Sequence, residues 1–531
     1  MRRLVAIAMT CAAMGIGISS GVYAASFKWA SQGDILTFDP HAQNEGFNNA
    51  ASSYVYESLV RYDKNGKIEP SLAESWKTVS DGFVFKVRQG VKFHEGEVLT
   101  VDDVVFSIQR ALHPKSQFKT YTAGILDAVK QSEDTVLIKT TSLTPVILNQ
   151  LTELRILNKS WAQKHGVLEP QDYIGNKEAY SSRHANGTGP FILKTREVDI
   201  QTVFVKNPNW WNEASREGNV DEAIYTPIKS AATRTAALLS GQVDFVLDPA
   251  PQDINRLKRD GNIRLIEGPE LRVVMISLDQ MRDKSPYILV DGKLSEKNPF
   301  KDIRVRQALY HAIDVNSLKR TVMRGASEPN GTIVAPHANG WTSKAGERFP
   351  YNVQLAKSLL VEAGYPNGFE FTLDTPNNRW INDEAICKAL ASMWAKIGVK
   401  VKVNSMPRAN YFPKVLSYDS SAGMVGWGTS THDALFAIQS LTQSFDAPKG
   451  NGLSNIGRIS DSKLDAIIEK IKVESNSTIR NQLIEEALLH IKNNFYQLPL
   501  HTQVISWAMR KNIDVPQRAD NRLEIDKVLV K

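Results

Sequence analysis

Cysteine is nearly missing from this chain. Of 531 residues two are cysteine, Cys11 and Cys387. Cys11 falls in an apolar leader, so the mature chain keeps a single thiol. One thiol forms no internal disulfide, and a cysteine-based zinc site needs several. A chain this long needs no covalent staple, because its cores are large. Long apolar runs are also scarce: past the first two dozen residues no stretch is apolar enough to span a bilayer. Charge of one sign is never concentrated. The formal charge of +7 falls to +5 once Arg2 and Arg3 leave with the leader, and the remaining Lys and Arg are scattered. Without a basic block, binding to nucleic acid has no support. Catalytic signatures are missing as well. There is no His-Glu-x-x-His, no Gly-x-Ser-x-Gly elbow and no phosphate-cradling Gly-rich loop, and the ten histidines are dispersed. Ser460 to Lys463 has a Ser-x-x-Lys spacing but lacks its partner motifs, and Ser460 is expected to cap a helix. No repeat or low-complexity tract is present.

What the chain does contain is a leader and several domains. Arg2-Arg3, the apolar run Leu4 to Ile18 and the small-residue end Val22-Tyr23-Ala24 form a secretory signal peptide, cut after Ala24. A soluble composition, 42% apolar and 23% charged, over this length predicts two or three domains. Phe27 to Ala30 reads as an opening strand, and Asn49 to Val60 as a helix. Asp81-Gly82 is a hairpin signal, followed by the alternating strand Phe83, Phe85, Val87. Thr100 with Asp103 forms a capping box. Val101, Val104, Val105, Ile108 and Leu112 then share one helix face. Gly187-Thr188-Gly189-Pro190-Phe191 reads as a turn into a strand. Asp302 caps a helix in which Val305, Leu309 and Ile313 form an apolar stripe. Strands alternate with helices to the end of the chain, the pattern of α/β layers. One stretch stands out as a pocket. Gly423 to Gly428 is an apolar strand ending in Gly426-Trp427-Gly428 and entering the polar loop Thr429 to Asp433. Strand ends form pockets, glycine admits close approach and Trp427 offers a flat wall. The alternative is that Trp427 is a core aromatic.

Pro70 to Leu112 carries a resemblance. Its segments PSLAESW, DGFVFKVRQGVKFHEGE and TVDDVVFSIQRAL resemble the signature of the family 5 extracellular solute-binding proteins, the periplasmic peptide, nickel and related receptors of ABC importers. The GTGPF segment and the block from Asp302 to Asp314 are similar to family elements too; the resemblance gives that block a scaffolding role, with Arg304 and Arg306 expected to form structural ion pairs. The resemblance implies an α/β, two-lobed periplasmic binding protein (type II-like, cluster C) with an extra inserted domain. Lobe one would comprise 25–60, 187–276 and 498–531, the inserted domain 61–186 and lobe two 277–497. The chain would cross between lobes near Ile276 to Asp279 and Leu498 to Gln503. It implies a monomeric periplasmic receptor, not an enzyme, without cofactor or metal, that passes a short peptide to inner-membrane permease subunits. Alternatives are a receptor for an opine, another carboxylate or a metal chelate, and less directly a secreted hydrolase or chaperone.

The same resemblance points to site residues. Peptide receptors of the family place, three residues after the tryptophan, an Asp that binds the peptide amine. Here that position is Ser430, and the nearest acid is Asp433. Glu45 resembles the acidic loop residue near the amine. Tyr121 matches a tyrosine-bearing loop of the inserted domain. Arg408 stands where peptide receptors have an aromatic, and Arg379 lies on a loop that reaches the cleft. Either arginine could take a carboxylate bidentately; for both the alternative is exposed surface charge.

Overall fold

A computed structural model describes residues 25–531 apart from 64–65, 142, 144–145 and 176. The expected leader, 1–24, lies outside the described residues. The chain opens with β1 (Ser26–Ser31), which pairs in parallel with Glu222–Pro227 and Phe245–Leu247. Helix α1 (Gly46–Ser52) follows, and then α2 (Val101–Leu112) packs on a separate four-stranded sheet drawn from residues 73 to 140. The capping box at Thr100 is present: its hydroxyl accepts from Asp103 N, and Thr100 N donates to the Asp103 carboxylate at 2.9 Å. Val101, Val104, Ile108 and Ala111 are buried, while Val105 and Leu112 are half-buried at the rim of that face.

Further on come β2 (Ile263–Leu278), β3 (Glu370–Pro376), α3 (Asp383–Ala395), α4 (Arg408–Leu416), β4 (Ala422–Gly428) and α5 (Ala434–Thr442), and β5 (Gln497–Arg510) returns antiparallel along β2. β2 and β5 lie at the middle of one thirteen-stranded sheet. On one side β4, β3 and their neighbours continue it; on the other, Phe245–Leu247, β1 and the strands between 191 and 227 do so. The two ends of β5 serve different cores. Trp507 and Met509 pack with Phe27, Trp29 and Phe204, whereas Leu498 and Leu500 pack with Met275, Leu373 and Trp394. The β2–β5 ladder slips between Pro269 and Val273, so residues 270–272 leave their partner strand. Such a bulge re-aims side chains, here toward the space between the two halves.

Four local expectations are corrected. The helix read from Asn49 to Val60 ends at Ser52, because the carbonyls of Tyr54 and Val55 accept from Phe191 N and Gly189 N instead of continuing a helical ladder. Gly187 and Gly189 therefore serve close approach rather than a turn: a Cβ on Gly187 would lie 2.0 Å from Val55 O. The helix after residue 460 is capped by Asp461, which accepts from Lys463 N and Leu464 N. Arg304 does pair with Asp302, but Arg306 donates to the carbonyls of Phe300, Lys301 and Asn494.

Candidate functional site

A cavity of about 1160 Å³, open mouth included, lies between the two halves. Its polar end is built on α1. Glu45 is the N-cap of that helix and accepts from Phe47 N at 3.3 Å and Asn48 N at 2.9 Å. Its buried carboxylate also contacts Arg379 and lies 3.6 Å from Arg408. Burial alone would raise its pKa. Arg379, Arg408 and the two amides outweigh that and hold it below the ordinary carboxylate range. Arg379 sits in the turn between β3 and α3, which Asp383 fixes by accepting from Arg379 N at 3.0 Å and Trp380 N at 3.1 Å. Burial first, then the neighbouring arginines, lowers Arg379 to about 10, leaving it charged at neutral pH.

The bulge in β2 supplies the second half of the polar end. Glu270 accepts from Arg272 Nε at 2.8 Å and from Gln503 at 2.7 Å, and Arg272 Nη1 donates to Gly426 O at 3.1 Å. The Nη2 atoms of Arg272 and Arg379 converge on Gly46: a Cβ there would stand 3.3 Å from one and 3.5 Å from the other. Asp520 and Arg522 also line the cavity, held by Arg518 and by Glu153. Glu45, Glu270 and Asp520 are thus already engaged by protein partners.

Aromatic and aliphatic side chains build the other end: Trp380, Tyr411, Phe412, Trp427, Phe436 and Ile456. Trp427 tilts on Phe436 at 5.1 Å, and Phe436 stacks on Tyr121 at 4.9 Å. The Tyr121 and Ser430 hydroxyls are hydrogen-bonded at 2.8 Å. Gly426 and Gly428 make room for protein groups, since a Cβ would meet Trp380 Nε1 at 2.4 Å and Arg272 Nη2 at 3.3 Å. Six polar atoms of the lining residues are buried without a hydrogen-bond partner: Gln43 Oε1, Asn49 Oδ1, Arg379 Nε, Trp380 Nε1, Trp427 Nε1 and Thr429 Oγ1. Such groups call for a ligand or water.

Of the residues singled out in the sequence, Glu45, Tyr121, Arg379, Gly426, Trp427, Gly428 and Ser430 line this cavity. Arg408 is buried behind it and lines a smaller neighbouring cavity. Asp433 lies outside both: it caps α5 through Leu435 N and accepts from Arg480 at 2.6 and 2.8 Å. Sequence reasoning missed Glu270, Arg272, Trp380, Asp520 and Arg522. The one available signal was Glu270-Leu271-Arg272 after a proline inside an apolar strand, a pattern that marks a bulge. No histidine or cysteine lines the cavity. Among the described residues no group of three or more His, Cys, Asp or Glu side chains is poised to hold a metal.

Comparison with known proteins shows the family and the fold. The profile of the bacterial extracellular solute-binding proteins, family 5, matches residues 67–449. Heme-binding protein A of Haemophilus influenzae is 29% identical over 493 residues, 88% of this chain and 85% of that protein. A dipeptide-binding protein of Pseudomonas aeruginosa is 27% identical over 547 residues, 97% and 96% of the two chains. Among solved structures, the periplasmic binding protein DppA of Helicobacter pylori with the peptide STSA superposes with a TM-score of 0.83 at 22% identity, covering 95% of this chain and 98% of that one. AgaA of A. tumefaciens R10 with agropinic acid gives 0.83 at 21% identity, over 96% and 99%. The fold is that of the two-lobed periplasmic binding proteins.

Proposed function

Because this chain belongs to the bacterial extracellular solute-binding proteins of family 5, we propose that it is the periplasmic receptor of an ABC importer and that its solute is a short peptide or peptide-like molecule held by its carboxylate. The observation that carries this reading is the convergence of Arg272 and Arg379 on Gly46, at the edge of the cavity. Their neighbouring carboxylates are already bonded: Glu270 to Arg272 Nε and Gln503, and Glu45 to Arg379 and the amides of Phe47 and Asn48. One carboxylate between two guanidinium groups makes charge-assisted hydrogen bonds to each. The Trp427 N–H and the amide oxygens of Gln43 and Asn49, buried without a protein partner, match an amide, which both accepts and donates. The aromatic end takes an apolar side chain.

The mechanism is capture, with no step of bond cleavage. Arg379 and Trp427 belong to one half of the molecule, Glu45 and Arg522 to the other, and the solute touches both. A solute that binds the closed arrangement more tightly than the open one shifts a hinge equilibrium toward it. We assign the hinge to β2 and β5, with lobe one as 25–60, 187–276 and 498–531 around the inserted 61–186, and lobe two as 277–497.

A second reading is favoured by one further observation. Every acid expected near a ligand amine is engaged: Glu45 by two arginines, Asp433 by Arg480, while Ser430 bonds Tyr121. An ammonium buried without a partner costs several kcal/mol. A carboxylate lacking a free amine, an opine for instance, fits the same end. Native mass spectrometry of protein purified without refolding weighs a carried-over solute directly. A thermal-shift screen of free, N-acetylated and C-amidated di- to pentapeptides against opines then separates the classes. Stabilisation by free and acetylated peptides but not amidated ones is the expected result. Equal stabilisation by amidated peptides contradicts the carboxylate grip, and peptide cleavage during the screen contradicts the receptor.

A further inference from the structure

We propose that the receptor selects a solute bearing one large aliphatic or aromatic side chain, through an apolar pocket that one half of the molecule builds alone. The inference rests on the carboxylate reading above and says what the same solute carries beside that carboxylate. Six charged side chains line the main cavity: Glu45, Glu270, Arg272, Arg379, Asp520 and Arg522. All stand at its polar end, each against an oppositely charged neighbour. The other end is walled by Trp380 of the turn before α3, Phe412, Val415 and Leu416 of α4, and Leu453 and Ile456 of the segment after α5. Phe412 stands edge-on to Trp380 at 6.4 Å and to Tyr411 at 5.6 Å. Gly423 gives β4 no side chain here, so its neighbours close on the strand. A Cβ on Gly423 would lie 2.8 Å from Ile456 Cδ1, 3.0 Å from Tyr411 Oη and 3.7 Å from Val415 Cγ1. Trp380, Tyr411, Val415 and Ile456 belong to one buried core, and Phe412 and Leu416 lean on it. The pocket is therefore a fixed feature of this half.

The polar groups of this wall are few and mostly spent. The Tyr411 hydroxyl donates to Met424 O. Trp380 Nε1 is shut in against Gly426, where a Cβ would lie 2.4 Å away. Ser454 adds one hydroxyl. A charged solute side chain placed here would be buried without a partner and is strongly disfavoured, whereas an apolar one gains by leaving water. The pocket also begins beside the carboxylate grip. Trp380 follows Arg379 in the chain, and the guanidinium carbon of Arg379 lies 5.6 Å from the indole ring. One small solute can fill both places. Leu453 is the wall residue best suited to tune the selection. It is half-buried and lines the cavity, and among the described residues it packs into none of the buried cores. A larger side chain there fills the pocket without disturbing the fold.

Calorimetry with free-acid dipeptides tests the pocket. Two series place glycine, leucine, phenylalanine, aspartate or lysine at one position and glycine at the other. In at least one series, leucine or phenylalanine should bind roughly ten-fold or more tighter than glycine, the worth of burying that side chain, and aspartate and lysine should bind no better than glycine. Leu453→Trp should cancel most of that gain and leave glycylglycine unchanged. Equal binding across both series, or a preference that a folded Leu453→Trp protein keeps in full, overturns the proposal. If Leu453→Trp does not fold, the two series on the unaltered chain decide. If no dipeptide binds, the carried-over solute decides once its mass and fragments are known. A carbohydrate-bearing carboxylate overturns the apolar pocket and leaves the carboxylate grip standing, while an apolar solute without a carboxylate does the reverse.

Discussion

Replacing Gly46 by alanine adds one methyl group where the solute carboxylate is expected to lie. Gly46 is the first residue of α1, directly after the N-cap Glu45. Its φ is not in the left-handed region, so alanine is compatible with the backbone. Alanine is also the better helix former, by up to about 1 kcal/mol in a helix interior and less at a first turn. The unliganded protein should therefore melt at the same temperature or slightly higher. The added Cβ would stand 3.3 Å from Arg272 Nη2 and 3.5 Å from Arg379 Nη2. The two guanidinium tips can shift by a few tenths of an ångström to accept it, but the methyl then occupies the point on which both converge. A carboxylate pushed off one of the two arginines loses one charge-assisted hydrogen bond, about 1.5–3 kcal/mol. That is roughly a ten- to a hundred-and-fifty-fold loss of affinity. Calorimetry with the carried-over solute, together with a melt of each protein, measures both halves. Unchanged affinity in a normally folded Gly46→Ala protein would refute the placement of the carboxylate between Arg272 and Arg379.

Other perturbations test the surrounding frame. Asp248 is pushed up to about 6, by burial first and then by Glu270. A carboxyl raised in the folded state destabilises the fold once ionised, an effect absent below the ordinary range near 4 and complete above 6. Asp248→Asn should thus gain up to about 3 kcal/mol over the parent at pH 8 and nothing at pH 4, which urea unfolding at the two pH values checks. Thr100→Ala removes half of the capping box on α2 and should lower stability by about 0.5–2 kcal/mol, read from the same unfolding curves. Gly187→Ala drives a Cβ into Val55 O and should reach the upper end of single-substitution effects, about 3 kcal/mol. A Gly187→Ala protein as stable as the parent would remove the close-approach account of that glycine.

What could be read from sequence was local. The capping box at Thr100, the buried stripe of α2, β1 and the strand–helix alternation each depend on neighbours a few residues apart, so periodicity and capping chemistry expose them. The glycines of the GTGPF segment failed the same reading because their constraint comes from Tyr54 and Val55, far away in sequence. Ser460 looked as good a cap as Asp461, and only the path of the chain chooses between them. At the site, Trp427 and its flanking glycines announce a strand end, and Glu45 and Arg379 were found through family resemblance. That the last two meet each other is a tertiary fact. Arg272 escaped notice because its role depends on a bulge that exists only when β2 is flanked by β4 and β5. Arg408 illustrates the limit from the other side: neither surface charge nor a wall of the main cavity, it is buried one layer behind.

The central claim is a carboxylate held between Arg272 and Arg379 in a receptor that releases its solute unchanged. Titration calorimetry of the carried-over solute and of its C-terminal amide against the unaltered protein tests it most directly. The account predicts that the acid binds, is recovered intact, and outbinds its amide by ten-fold or more, the loss of at least one charged hydrogen bond of about 1.5 kcal/mol. Equal binding of the two forms would contradict it.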